Sequence, residues 1–218
     1  MTIVKAINEI QKELPPTVKL VAVSKFKSNE AILEAYEAGL RDFAENRPQE
    51  LKQKIYDLTD DINWHFIGHL QTNKIKMIID KVSMIQSIDS LYLAREVSKE
   101  AQSRYIVKDC LIQVHIAREE TKQGFSENEL LESIIELKTL SGIRICGLMG
   151  MASFIEDTTQ IKSEFATLRK LFVKLKNLYF KDSDFFKEIS MGMSGDYRLA
   201  VEEGSTIVRI GSKIFGNR

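Results

Sequence analysis

Leu20-Val21-Ala22-Val23-Ser24-Lys25 decides how the chain is read. Four apolar residues, two of them β-branched, run without a polar break, as in a strand buried on both faces of a parallel sheet. The run ends in Ser24 and Lys25, and Ser28-Asn29-Glu30 then opens a helical pattern. In α/β proteins the carboxyl ends of the strands carry the ligand sites. A lysine placed there beside apolar walls is partly desolvated. Desolvation lowers its pKa and lets the neutral amine attack a carbonyl to form a Schiff base. Taken alone, the stretch is read more plainly as a solvated lysine at the start of a loop. The rest of the chain has to decide.

Outward from this strand the same period repeats. Before it, Ile3, Ile7, Ile10 and Leu14 mark a helix that Pro15-Pro16 ends. After it, a helix over 31–38 closes at Gly39, and Pro48 suits the first turn of a helix carrying Leu51, Ile55 and Leu58. Strands are predicted at 40–44, 62–68, 82–87, 109–115, 144–149, 185–190 and 205–210. Asn73 is expected to cap a helix over 74–79. Further helices are expected over 90–102 and 127–140, around Phe165, Leu168, Phe172 and Leu175, and over 197–203 before Gly204. Eight strand–helix repeats in a short chain predict a closed (β/α)8 TIM barrel, and no linker or low-complexity tract divides it. One domain over 1–218 is expected.

Composition removes several classes of function. The 218 residues are 44% hydrophobic, enough for one core, and 31 basic residues balance 31 acidic ones. No bulk field draws nucleic acid or an anionic membrane, so any anion site must be local. Charges interrupt the apolar residues at the amino terminus, which therefore does not read as a signal peptide, and no apolar run is long enough to span a bilayer. Cys110 and Cys146 read as buried small residues in or beside strands rather than a disulfide. Two thiols with no Cys/His cluster make no metal site. A cytoplasmic protein is expected.

Two segments resemble an anion cradle. Ser190-Met191-Gly192-Met193-Ser194-Gly195 follows strand seven, and Arg209-Ile210-Gly211-Ser212 follows strand eight. Small residues let the backbone approach a ligand, and barrels often place a phosphate between these two loops. Barrel closure makes strands eight and one neighbours. An aldehyde-bearing aromatic phosphate would then span the cradle and Lys25, and pyridoxal 5′-phosphate fits that description.

Nearly the whole chain resembles the pyridoxal phosphate homeostasis family, whose barrel is similar to the amino-terminal domain of alanine racemase (fold type III). The resemblance is carried by Val21-Ala22-Val23-Ser24-Lys25, Asp42-Phe43-Ala44-Glu45-Asn46, and Trp64-His65-Phe66-Ile67-Gly68-His69-Leu70-Gln71-Thr72-Asn73-Lys74. Gly147-Leu148-Met149, Ser190-Met191-Gly192-Met193-Ser194, Val208-Arg209-Ile210-Gly211 and Ile214-Phe215-Gly216 also match. It implies a Schiff base at Lys25 and phosphate binding by Ser190, Gly192, Ser194 and Gly211. It also implies Arg209 near the pyridine nitrogen and Asn46 beside the ring's hydroxyl edge. Ala44 departs from the family, which often has glycine there. The Lys122-Gln123-Gly124-Phe125 loop resembles a family segment but is given no fixed role.

Arginine on the pyridine nitrogen donates a hydrogen bond without giving up its proton. The bound ring would be a weaker electron sink, which suits holding the cofactor. His65 and His115 read as hydrogen-bonded strand residues, and only His69, at a strand end, is kept as a candidate acid or base. The implied function is intracellular vitamin B6 homeostasis without substantial catalysis, with apo-enzymes that use the cofactor as partners. Two alternatives are weighed against it, a fold-type III amino-acid racemase and a sugar-phosphate enzyme. Alanine racemase takes one of its two bases from a second domain across a dimer. A sequence ending at Arg218 has no room for that domain, so a monomer is expected.

Overall fold

The computed structural model describes residues 2–118 and 123–216, so Lys122 lies outside the described residues. In chain order the elements are α1 (Ile3–Glu13), β1 (Lys19–Val23), α2 (Asn29–Glu37), β2 (Asp42–Glu45), α3 (Pro48–Asp57), β3 (Asn63–Phe66), α4 (Ile75–Ile78), β4 (Met84–Ile88), α5 (Leu91–Ser103), β5 (Lys108–Val114), α6 (Glu127–Thr139), β6 (Ile143–Gly150), α7 (Thr158–Tyr179), β7 (Glu188–Ser190), α8 (Tyr197–Glu202), β8 (Ile207–Ile210) and α9 (Ser212–Phe215). The strands are parallel and paired in chain order. β8 closes on β1, with Val21 opposite Arg209, making the eight-stranded barrel.

The alternation along each strand sorts side chains into two layers. Leu20 and Ala22 of β1 face the helices, whereas Val21 and Val23 join the thin apolar filling inside the barrel. Trp64 and Phe66 of β3 likewise enter the outer core, and His65 between them turns inward. Most of the apolar burial lies in the outer layer. There Phe186 stacks on Phe180 at 4.1 Å and on Phe172 at 4.9 Å between ring centres. Burying one such ring stabilises the fold by about 1.5–3 kcal/mol.

Turn chemistry agrees with the sequence at most element ends. The side chains of Thr2, Ser28, Ser90, Ser126 and Asp157 cap the helices that follow them. Gly39, at φ +98°, takes the left-handed conformation that ends α2. Two readings need correction. Asn73 caps nothing: it lies inside a 3-10 turn, Thr72–Lys74, that leads into a short α4. β7 is only three residues long, because Phe186 leaves the strand to stack in the outer core. Cys110 and Cys146 are both buried free thiols. Among the described residues no helix is long and apolar enough to cross a membrane, and no group of His, Cys, Asp and Glu could hold a metal.

Candidate functional site

A cavity of about 810 Å³ opens at the carboxyl ends of the strands. Lys25, Asn46, Ser194, Arg209 and Gly211 all line it, with apolar walls from Val23, Ile67, Met149, Met151 and Ile161. Three lining cations, Lys25, Arg209 and Lys213, face one lining carboxylate, Asp196, so the mouth favours an anion.

Lys25 is half-buried, and among the described residues its Nζ has no hydrogen-bond or ion-pair partner. Its position is fixed through its neighbours. Lys54 of α3, 5% exposed, donates to Ser24 O at 2.8 Å, to Glu45 Oε1 at 2.8 Å and to Glu50 Oε1 at 2.7 Å. Ser24 Oγ donates to Glu45 Oε1 at 2.6 Å. Phe26, next after Lys25, stands at φ +63° and gives its N–H to Glu50 Oε1 at 2.6 Å. A left-handed conformation costs a non-glycine residue about 1–2 kcal/mol, and the Glu50 bond holds it. Burial pushes the Glu45 carboxyl up, and the bonds from Lys54 and Ser24 offset only part of that rise.

Asn46 continues β2 into the cavity, where its Oδ1 is buried with no hydrogen-bond partner. The backbone beside it is tightly packed. A Cβ on Gly68 would lie 2.1 Å from Asn46 O, and Ser87 Oγ donates to Gly68 O at 2.6 Å.

Across the barrel seam, Arg209 is 3% exposed. Its NH1 donates to Ser190 Oγ at 2.6 Å and its NH2 to Gly150 O at 3.0 Å. Burial lowers its pKa to about 10, although Asp196 opposes the change, so it stays charged at neutral pH. Beside it the β8–α9 turn gathers donors. The amides of Gly211 and Lys213 converge on Ser194 Oγ at 3.2 and 3.4 Å. A Cβ on Gly195 would meet nothing within 4 Å, so the backbone there faces open space.

Two expected phosphate ligands lie elsewhere. Ser190 is fully buried below the cavity, and its hydroxyl donates to Gln86 Oε1 at 2.6 Å while accepting from Arg209. Gly192 packs its backbone on α8, where a Cβ would stand 2.6 Å from Ala200 Cβ. His69 does not line the cavity either, and its Nδ1 stands 2.9 Å from Asp89 Oδ2. The sequence reading missed the β6–α7 loop, whose Met151, Ser153, Phe154 and Ile155 form one wall. Glu164 of α7 anchors that loop, accepting from Ser153 N at 2.6 Å and from Ser153 Oγ at 2.8 Å. The available signal was position, since the loop leaves the carboxyl end of a barrel strand. Lys213 was missed as well. Its Nζ donates to Tyr197 OH at 2.8 Å.

The residues fit an aromatic aldehyde phosphate. They offer a bare amine, an orphaned buried oxygen for a hydroxyl edge, a buried guanidinium, and a turn whose amides already converge on one oxygen.

Residues 2–218 match the family model of the alanine racemase N-terminal domain. The pyridoxal phosphate homeostasis protein of Aquifex aeolicus is 41% identical over 201 residues, covering 92% of this chain and 87% of that protein. Its namesake from Synechocystis is 38% identical over 213 residues, covering 97% and 96%. The structure of PipY from Synechococcus elongatus with pyridoxal phosphate bound superposes with a TM-score of 0.91 at 34% identity, covering 99% of this chain and all of that one. An alanine racemase from Clostridium difficile superposes at 0.78 but is 18% identical, and 57% of that enzyme is covered, a likeness of fold.

Proposed function

The chain belongs to the alanine racemase N-terminal domain family, among its pyridoxal phosphate homeostasis proteins, and from that premise we propose how it works. It binds pyridoxal 5′-phosphate and serves intracellular vitamin B6 homeostasis, acting as one barrel domain. The observation that carries this reading is the pairing across the β1–β8 seam. An unpartnered Lys25 amine and a buried, charged Arg209 line one cavity beside the Ser194–Gly211 turn.

When bound, pyridoxal phosphate supplies an aldehyde that condenses with amines. Lys25 presents the amine that retains it covalently. Ser194 Oγ and the amides of Gly211 and Lys213 hold the phosphate, and Asn46 Oδ1 accepts from the hydroxyl edge. Arg209 donates to the ring nitrogen and, by keeping its own proton, leaves that nitrogen unprotonated. The other protonatable side chains on the wall are engaged with the protein. Asp196 Oδ1 accepts from Met193 N at 2.5 Å, and Lys213 donates to Tyr197. This favours retention over turnover, and with it delivery to apo-enzymes by a cytoplasmic monomer.

The test is a visible absorption spectrum of the protein mixed with pyridoxal phosphate, then borohydride trapping, peptide mapping and incubation with D- and L-alanine. The expected result is a trapped adduct on Lys25 without racemisation, absent in Lys25→Ala while noncovalent binding persists. An adduct unchanged in Lys25→Ala overturns the lysine assignment. Steady racemisation overturns the non-catalytic reading, and absence of any band overturns cofactor binding.

A further inference from the structure

One line of polar groups, buried except at its Asp42 end, crosses the barrel interior. Asp42 of β2, His65 of β3, Gln86 of β4, Ser190 of β7 and Arg209 of β8 are joined by contacts of 3.0, 2.9, 2.6 and 2.6 Å in that order. His65, Gln86, Ser190 and Arg209 are 2%, 0%, 0% and 3% exposed, so water has no ready access to replace a lost link. A structural role for a packed barrel would be met by apolar residues. Buried polar groups are costly unless every one is satisfied.

The two ends give the line a direction. Arginine can only donate, and an ionised carboxylate can only accept. Arg209 NH1 donates to Ser190 Oγ, so the Ser190 proton goes to Gln86 Oε1. The Gln86 amide nitrogen then faces His65 and donates to Nδ1, which must be bare. The imidazole proton therefore sits on Nε2 and is donated to Asp42 Oδ1. Each intermediate group has one orientation left. Asp42 stays ionised: burial raises its pKa, but the His65 hydrogen bond and Lys19, 3.4 Å away, more than offset that rise. Asp42 lies at the amino-terminal end of the barrel and lines a separate cavity of about 320 Å³, whereas Arg209 lines the ligand cavity at the other end.

We propose that Asp42, His65, Gln86 and Ser190 are positioning residues for Arg209, a directed hydrogen-bond line that aims its guanidinium at the ring edge of the ligand. The proposal rests on the reading above that Arg209 meets the ring nitrogen of pyridoxal phosphate. Without the line, the guanidinium sits on a flexible stem with Gly150 O as its other protein acceptor.

The decisive pair of variants is Gln86→Leu, which breaks the line, and Gln86→Glu, which still accepts from Ser190 but cannot donate to His65. In the unliganded wild type, nitrogen-15 NMR should show His65 as the Nε2–H tautomer and slow exchange of the Arg209 guanidinium protons. Gln86→Leu should speed that exchange about tenfold, whereas Gln86→Glu keeps it slow and puts a second proton on His65. With pyridoxal phosphate, Gln86→Leu should bind about tenfold more weakly with a displaced visible band, and Gln86→Glu within about threefold of wild type. Should Gln86→Leu fail to fold, Ser190→Ala opens the neighbouring link and is read the same way. An Nδ1–H tautomer in the wild type overturns the proposal. So does a broken-line variant with unchanged exchange and affinity, or a Gln86→Glu variant as impaired as Gln86→Leu, the result expected of packing alone. A wild type with no visible band refutes the proposed function instead, and the ligand-free NMR still decides whether the line exists and holds Arg209.

Discussion

Lys25 and Arg209 face one cavity and are held in opposite ways. Lys25 Nζ touches no partner among the described residues, and everything around it is tied down: Ser24 by Lys54 and Glu45, Phe26 by Glu50. Arg209 is tied down by its own donors, through Ser190 and Gly150. In the proposed reading Lys25 is a nucleophile that must keep its lone pair available, so its support has to come from residues beside it. Arg209, proposed to point at the ring, can spend hydrogen bonds on being aimed. The strand period divides the two devices. The Glu45–Lys54 pair joins β2 to α3 in the layer outside the sheet, whereas the line ending at Arg209 runs inside the barrel.

The sharpest way to break this contrast is Lys54→Met, which leaves the buried Glu45 without its cation. Urea unfolding should show a loss of about 3–5 kcal/mol, the usual cost of removing one partner of a buried ion pair. A loss below about 1 kcal/mol would mean that ion pairs do not fix the Lys25 turn. Next in size is Gly68→Ala, which drives a methyl into Asn46 O and should cost about 1–3 kcal/mol. The glycine beside the proposed phosphate turn is the control. Gly195→Ala points into open space and should change stability by less than about 0.5 kcal/mol. Equal costs at the two glycines would erase the difference between a rigid amine side and an open anion side.

The smallest effect concerns the outer brace of the β8 side. Glu13 of α1 accepts from Arg198 and Tyr197, and Tyr197 in turn accepts from Lys213. The Arg198 and Tyr197 bonds lower the Glu13 pKa from 4.5 to about 2. A depressed carboxyl pKa stabilises the fold fully above the unfolded value and loses that stabilisation as pH falls from 4.5 towards 2. Thermal melts across this window should therefore fall more steeply for wild type than for Glu13→Gln. Parallel curves would show that Glu13 does not brace the β8–α9 turn.

How legible all this was depends on whether a residue's meaning lies in its neighbours in sequence or across the sheet. The barrel could be read because each apolar run, glycine stop and Ser or Asp cap is local. Lys25 and Arg209 were legible as residues at the carboxyl ends of strands. Ser190 and Gly192 were expected at the cradle because a Gly/Ser loop looks alike on both of its faces in sequence. Pairing of Ser190 with Ile207 and the packing of Gly192 on Ala200 put them below the cavity. Lys54 reads in sequence as one more solvated helix lysine, since the two carboxylates that bury it come from α3 and β2. The line through His65 and Gln86 depends on inward parity in five strands at once, and no single window of sequence contains it.

The closure of β8 on β1 has a consequence for the order in which the protein is made. Lys25 leaves the ribosome well before Arg209, and the two meet only when β8 docks beside β1. Contacts so distant along the chain carry the largest loop-closure cost and form slowly. A barrel emerging strand by strand therefore passes through a stage with most of its core in place and no complete cavity. A small molecule that needs both residues binds only after that stage and stabilises the closed form by mass action. Uptake of the ligand would thus mark the moment at which the barrel has closed.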